Sequence, residues 1–326
     1  MAAPDKLRGT ASASDAAAAI CRAAAAAGWE SDAVPVADGG EGTLDALGGP
    51  NRESTVTGPL GDPVVAPWRY GNTSVIEMAR ASGLALAGGP AANDPIAAST
   101  MGTGELITDA VDAGCKRIIV CVGGSATTDG GLGALRALEP LTRLRGIELL
   151  VACDVRTTFV DAAMLFAEQK GATSSQIELL RRRLDRLAQV YEAEYGIDVR
   201  DVPGSGAAGG LAGGLLCAGA RLVSGFDLVA DELGLPDAIE DADLVVTAEG
   251  FLDEQSFEGK VVGGVHELAA ANGVPSLAIV GEIVDGVTLP DGLSVVSLVD
   301  RFGDARARAD TLACIEEAVA SHLASL

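Results

Sequence analysis

The segment that most constrains this chain is the apolar run Ile118-Ile119-Val120-Cys121-Val122, which passes straight into Gly123-Gly124-Ser125-Ala126-Thr127-Thr128-Asp129-Gly130-Gly131. A short run of β-branched residues suits a buried parallel strand, and two glycines then let the backbone turn without a side chain in the way. The stretch 132–138 reads as the helix that follows. Such a strand–glycine turn–helix unit presents backbone N–H groups to an anion, most often a phosphate. A carboxylate in that loop, Asp129, would repel a phosphate unless it holds Mg²⁺ or receives a proton, so the segment points to phosphoryl transfer. Gly-Gly turns also occur for purely structural reasons, and this one is neither a Walker A loop nor a dinucleotide fingerprint.

The same alternation recurs along the chain, the signature of parallel βαβ units and an α/β fold. Strands are expected at 33–37, 74–78, 118–122, 149–153, 244–247, 276–280 and 294–299. Helices are expected at 14–27, 42–47, 104–113, 132–138, 176–195, 208–218, 260–272 and 304–323. Residues 55–70, with Gly58-Pro59 and Gly61-Asp62-Pro63, read as a small hairpin. Pro4-Asp5 follows Met1 almost at once. Either the first strand is a stub, or the start codon is assigned too far downstream. With 326 residues the chain has room for about two domains. No linker or repeat marks a boundary, so one lobe can be inserted in the other.

A net charge of −23 argues against nucleic acid and anionic membrane surfaces as partners. It also requires that an anionic substrate find local Lys, Arg or Mg²⁺. No apolar run approaches the roughly 20 residues needed to span a bilayer, and residues 1–10 lack a signal-peptide core. The six cysteines carry no CxxC pair and sit in apolar contexts, as reduced core cysteines of a cytoplasmic protein would. Two histidines, His266 and His322, without neighbouring ligands make neither a zinc site nor a hydrolase triad.

Acids recur where predicted strands end: Asp38 and Glu41 after 33–37, Asp129 after 118–122, Asp154 after 149–153, and Glu249 after 244–247. A lone Asp in such a place commonly caps a helix or makes a turn. Several on the ligand-binding edge of parallel sheets shift the balance toward a site. Lys170 at a turn, Gly204-Ser205-Gly206 in a second glycine loop, and Asp253 and Lys260 before a helix add the cations and small residues that phosphoryl transfer uses.

Together these segments resemble the glycerate kinase family of the bacterial type that phosphorylates D-glycerate from ATP. The match runs from Ala3-Pro4-Asp5…Gly9-Thr10 and Val36-Ala37-Asp38-Gly39-Gly40-Glu41-Gly42-Thr43, through Ile76–Leu84, Gly102–Ile107, Gly123–Gly131, Ala152–Val155 and Gln169–Ala172. It ends with Gly204–Gly210 and Glu249…Asp253-Glu254-Gln255-Ser256…Gly259-Lys260. The resemblance implies two α/β domains with a cleft between them, one a Rossmann-like parallel sheet (1–50, 103–139 and 236–326) and the other mixed α/β (51–102 and 140–235). It implies Mg²⁺ and ATP as cofactors, a small-molecule substrate, and leaves room for a homodimer. Asp154 would take the hydroxyl proton, with Asp38 and Lys260 also catalytic. Asp5, Arg8, Glu41, Glu249 and Asp253 would bind substrate. Gly123, Gly124, Ser125, Thr127, Lys170, Gly204, Ser205 and Gly206 would bind the nucleotide, and Asp129 and Asp38 the metal.

The chain departs from the family's pattern in several places. Arg8 stands for a lysine, Ala97 for a cation, Met101 for a tyrosine, and Phe251 for the arginine of a Gly-Glu-Gly-Arg motif. A long segment is missing between Leu138 and Ile147, and the stretch after Asp154 has lost its Asn-Pro-Leu. Two functions therefore stand: a kinase for glycerate or a similar small hydroxy acid, and a non-catalytic ligand-binding or regulatory paralogue.

Overall fold

The structure is a computed structural model that describes residues 1–7 and 9–326. The chain forms two compact units: a split unit of Met1–Asp38 with Gly225–Leu326, and an inserted unit of Gly39–Ser224.

The inserted unit opens with an antiparallel hairpin of β1 (Arg52–Thr57) and β2 (Pro63–Trp68), as the turn residues predict. It continues into a parallel sheet of β3 (Thr73–Glu77), β4 (Arg117–Cys121), β5 (Glu148–Ala152) and β6 (Arg221–Val223), in the order β3-β4-β5-β6. Ile76 pairs with Val120, Val120 with Val151, and Val151 with Leu222. After their charged first residues, Arg117 and Glu148, the central strands are apolar because both faces are covered. Ile76, Ile118, Val120 and Val151 pack with Leu106, Ile107, Leu211 and Leu215. A second cluster joins Leu135, Phe159, Leu180, Leu184 and Tyr191, the last three of these from the 22-residue helix Ser174–Tyr195 and its neighbours.

In the split unit β7 (Val245–Leu252), β8 (Ser276–Ile283) and β9 (Leu293–Ser297) lie parallel in that order. Ala2 bridges in parallel to both Ala33 and Val246. Val34 and Val36 donate to Ala2 and Pro4, and Ala3 and Asp5 donate to Val246 and Ala248. The stretches around Ala2 and Ala33 thus extend the sheet as short bridged segments. Helix Ala13–Ala26 packs its alanine face, with Ile20, against Ile315, Ala318 and Val319 of helix Thr311–Leu323.

Three expectations change. Residues 39–50 and 103–139 belong with the inserted unit, because β4 pairs with β3 on one side and β5 on the other; residues 225–235 join the split unit. The expected strand 294–299 ends at Ser297, whose hydroxyl caps helix Leu298–Phe302 by accepting from Asp300 N. The expected helix 304–323 is two, Asp304–Ala309 and Thr311–Leu323, separated at Asp310.

Candidate functional site

In the inserted unit, β3, β4 and β5 all end on one edge of the sheet, and their loops pack on each other. Gly124 has φ +68°, and a Cβ there would lie 2.0 Å from Glu41 Oε1; a Cβ on Gly123 would lie 3.0 Å from Gly40 Cα. Glycine at both positions is what lets the 39–42 loop approach the end of β4. Glu77, at the end of β3, fixes that loop: its Oε1 accepts from Gly42 N and Leu44 N at 2.8 and 2.9 Å, while Arg80 Nε donates to Oε2 at 3.0 Å. Sequence reasoning missed Glu77; its signal was a carboxylate closing an apolar run.

Asp129, expected as a metal ligand, is bonded to its own loop and to Thr100. Oδ2 accepts from Thr100 N and Oγ1, both at 2.9 Å, and from Gly133 N at 3.2 Å; Oδ1 accepts from Gly131 N at 3.1 Å. Three of these bonds fall on Oδ2 and one on Oδ1. Asp129 therefore fastens the loop to the start of helix Leu132–Leu138 and to Thr100.

Lys170, expected to neutralise phosphate, is buried, and its Nζ donates to Thr127 O at 2.7 Å. Burial pushes its ammonium down to about 7, with Asp129 pulling weakly the other way. Asn93 Nδ2 donates to Ala126 O and Lys170 O on the same loop. Tyr191 hydroxyl donates to Gly130 O at 2.9 Å. The second glycine loop is also turned inward. Ser205 is buried with its Oγ 2.8 Å from Val199 O and 2.7 Å from Val202 O. A Cβ on Gly206 would lie 2.3 Å from Thr158 O. Just beyond, Ala208, Gly209 and Gly210 are all left-handed, and Gly209 O accepts from Gly130 N. Thr127 is buried with its hydroxyl toward Ala208 O, so Ala208, Gly209, Gly210 and Lys170 hold the first loop from behind. Gly124 remains exposed at its tip, and Asp154 follows β5 half-buried.

The split unit gathers its functional residues around a cavity of about 360 Å³ where the strands end. Asp5, Asp38, Glu249, Asp253 and Lys260, all singled out by sequence, line it together with Lys6, Glu282 and Arg308, which were not. Asp5 is buried and its Oδ1 accepts from Lys6 N, with Lys6 Nζ 3.8 Å away. Asp253 caps the short turn Glu254–Phe257, accepting from Ser256 N at 3.0 Å, and lies 3.8 Å from Lys260 Nζ. Arg308 bonds Asp304 and lies 3.6 Å from Glu282. Phe251 is half-exposed on the wall.

Glu249 behaves differently. Its Oε2 is buried without a hydrogen-bond partner. Burial, with Asp5 and Asp253 adding repulsion, pushes its carboxyl up to about 7 against the pull of Lys260 and the nearby Ser256 hydroxyl. Arg8 lies outside the described residues. Among the described residues no group of three or more His, Cys, Asp or Glu side chains is placed to hold a metal ion, and no helix is long and apolar enough to cross a membrane.

Similarity to known proteins agrees with these motifs. The profile of the glycerate kinase family matches residues 1–141 and 139–325. The chain is 40% identical to glycerate 2-kinase of Escherichia coli K12 over 307 aligned positions, covering 81% of this chain and 80% of that protein. It is 39% identical to glycerate kinase of Bacillus subtilis 168, covering 86% and 84%. A crystal structure of a protein assigned as glycerate kinase 2 from Salmonella typhimurium LT2 superposes with a TM-score of 0.84 at 34% identity, covering 99% of this chain and 96% of that one. A profile match over almost the whole length, with named kinases near two-fifths identity, shows that the chain is a phosphotransferase and belongs to the glycerate kinase family.

Proposed function

We propose that this enzyme transfers the terminal phosphoryl group of ATP to a hydroxyl of D-glycerate or a similar small hydroxy acid, giving phosphoglycerate and ADP, in the cytoplasm. The observation that carries the acceptor side is the cavity of the split unit. Its volume of about 360 Å³ is small, near the lower end of the roughly 300–1,000 Å³ of ligand pockets. Lys6 and Lys260 supply cations for an acceptor carboxylate, and Asp5 and Asp38 supply acceptors for its hydroxyls. In the inserted unit the exposed turn at Gly123-Gly124, with Ser125 and the neighbouring Glu41 loop, is our choice for the nucleotide phosphates, since its shape is fixed in advance and phosphoryl transfer depends chiefly on positioning.

Magnesium enters as part of the substrate. Of the two carboxylates expected to hold it, Asp129 accepts four hydrogen bonds from its own loop and Thr100 and Asp38 lines the cavity. The residues do not form a cage of their own. Mg²⁺ typically keeps its waters and the nucleotide's phosphates with only one or two carboxylates, so MgATP as the arriving species fits. Two carboxylates stand for the role of proton acceptor, Asp154 at the end of β5 and Glu249 in the cavity. The regulatory-paralogue reading has no comparable support: a binding protein for a small anion gains nothing from five acids around the pocket, which oppose it electrostatically.

The test is ADP release by the purified protein with MgATP against D-glycerate, L-glycerate and a panel of small sugar acids. Turnover on D-glycerate is the expected result; turnover on another acid alone would move the acceptor, and none on any would remove the kinase reading.

A further inference from the structure

We propose that Glu249 is the catalytic base of this enzyme, taking the proton of the acceptor hydroxyl inside the split unit's cavity. The inference rests on the kinase reading and sharpens it. Glu249 lies within β7, in register with Val280 of β8, so its carboxylate is delivered to the cavity by strand backbone rather than by a loop. Its neighbours on the wall are already engaged. Asp253 is held by Ser256 N and faces Lys260, and Asp5 accepts from Lys6 N. Glu249 Oε2 is the buried carboxylate oxygen left without a partner. A buried, unpartnered acceptor carries an energetic penalty that a donor can relieve, and the hydroxyl of a bound acid is such a donor.

The charges facing it complete the argument. Asp5 and Asp253 press on Glu249 and Lys260 draws on it, while Lys6, Asp38, Glu282 and Arg308 occupy the rest of the wall. Burial dominates this balance and holds the carboxyl near 7, about where a base in water near neutral pH is most effective. Asp154 has no comparable orphaned oxygen.

The step balances without a further reactant. The acceptor O–H bond breaks and its proton passes to Glu249. The oxygen's electron pair forms the new O–P bond, and the bond between the γ-phosphorus and its bridging oxygen breaks with its electrons leaving on ADP. The protonated Glu249 then returns its proton to solvent.

The experiment is the pH profile of kcat/KM for wild type, Glu249→Gln, Glu249→Asp and Asp154→Asn, with magnesium high enough to keep ATP complexed throughout. Wild-type kcat/KM should fall below about pH 7 with unit slope. Glu249→Gln should lose about 10²–10⁴-fold in kcat, keep its nucleotide affinity, and lose the acid limb. Glu249→Asp should retain a limb at a shifted pH, which also covers failure of the Gln variant to fold. A Glu249→Gln enzyme within tenfold of wild type with the limb intact would overturn the proposal, as would a Glu249→Asp limb at the wild-type position. A limb abolished only by Asp154→Asn would transfer the role to Asp154. Absence of turnover by the wild type on every hydroxy acid would instead defeat the kinase reading, and the base with it.

Discussion

Asp129 follows one buried parallel strand and Glu249 lies within another, yet the first carboxylate is bonded by four donors and the second keeps one oxygen without a partner. In the inserted unit most of these polar groups point at each other: Asp129 gathers Thr100, Gly131 and Gly133, Lys170 reaches Thr127 O, and Ser205 faces two carbonyls, while Thr128 Oγ1 and Asn93 Oδ1 are buried without a partner. In the split unit the acids and lysines surround a cavity, and Glu249 Oε2 has no partner. Residues of the same type serve opposite ends. Where every hydrogen bond is satisfied internally, the group sets shape and stability; where one is left open beside a cavity, the group is available to a ligand.

Variants on the inserted side should break stability before chemistry. The largest effect belongs to Gly209→Ala. Its φ is +66° and the new Cβ would lie 2.0 Å from Thr127 O, so left-handed strain and overpacking together should remove about 2–5 kcal/mol of unfolding free energy. Asp129→Asn keeps one acceptor oxygen and replaces the other by a donor facing donors, and should cost about 2–4 kcal/mol. Denaturant titration measures both, and an unchanged midpoint for either would undo the view of this edge as a locked frame.

Lys170 sharpens the same point through pH. Its folded pKa of about 7 lies below the ordinary 10.5. The unfolded chain therefore holds the proton more tightly, and stability should rise as pH increases from about 7 to about 10.5 by up to about 1.4 kcal/mol per pH unit. Lys170→Met should lack that rise when unfolding is measured at pH 7, 8 and 9. A wild-type curve as flat as the variant's would mean that the amine is solvated. Tyr191→Phe, losing only the bond to Gly130 O, should cost about 1 kcal/mol.

The fold was legible where periodicity is local. The strands after 74, 118, 149 and 276, the hairpin and the helix 132–138 follow from short apolar runs and turn residues. Which strands share a sheet was not, since a parallel strand carries no mark of its partners; β4 went to β3 and β5, and the domain boundaries moved with it. The site was half legible. Five residues named from sequence do line one cavity, because acids at strand ends converge by topology. The bonds of Asp129 to Thr100 and of Lys170 to Thr127 O were hidden because these partners lie 29 and 43 residues away along the chain. Lys6 and Arg308 were not separated by any pattern from ordinary surface charges.

The measurement that bears most directly on the account is unfolding free energy and kcat taken side by side for Asp129→Asn and Glu249→Gln at pH 8. Because burial raises Glu249 above its unfolded pKa, folding loses stability as pH climbs from about 4.5 to about 7, and glutamine removes that loss. The account predicts an Asp129→Asn protein that unfolds more easily, and a Glu249→Gln protein at least as stable as wild type that has lost its turnover and its acid limb. A fully stable Asp129→Asn enzyme without turnover, beside a Glu249→Gln enzyme that works, would contradict it.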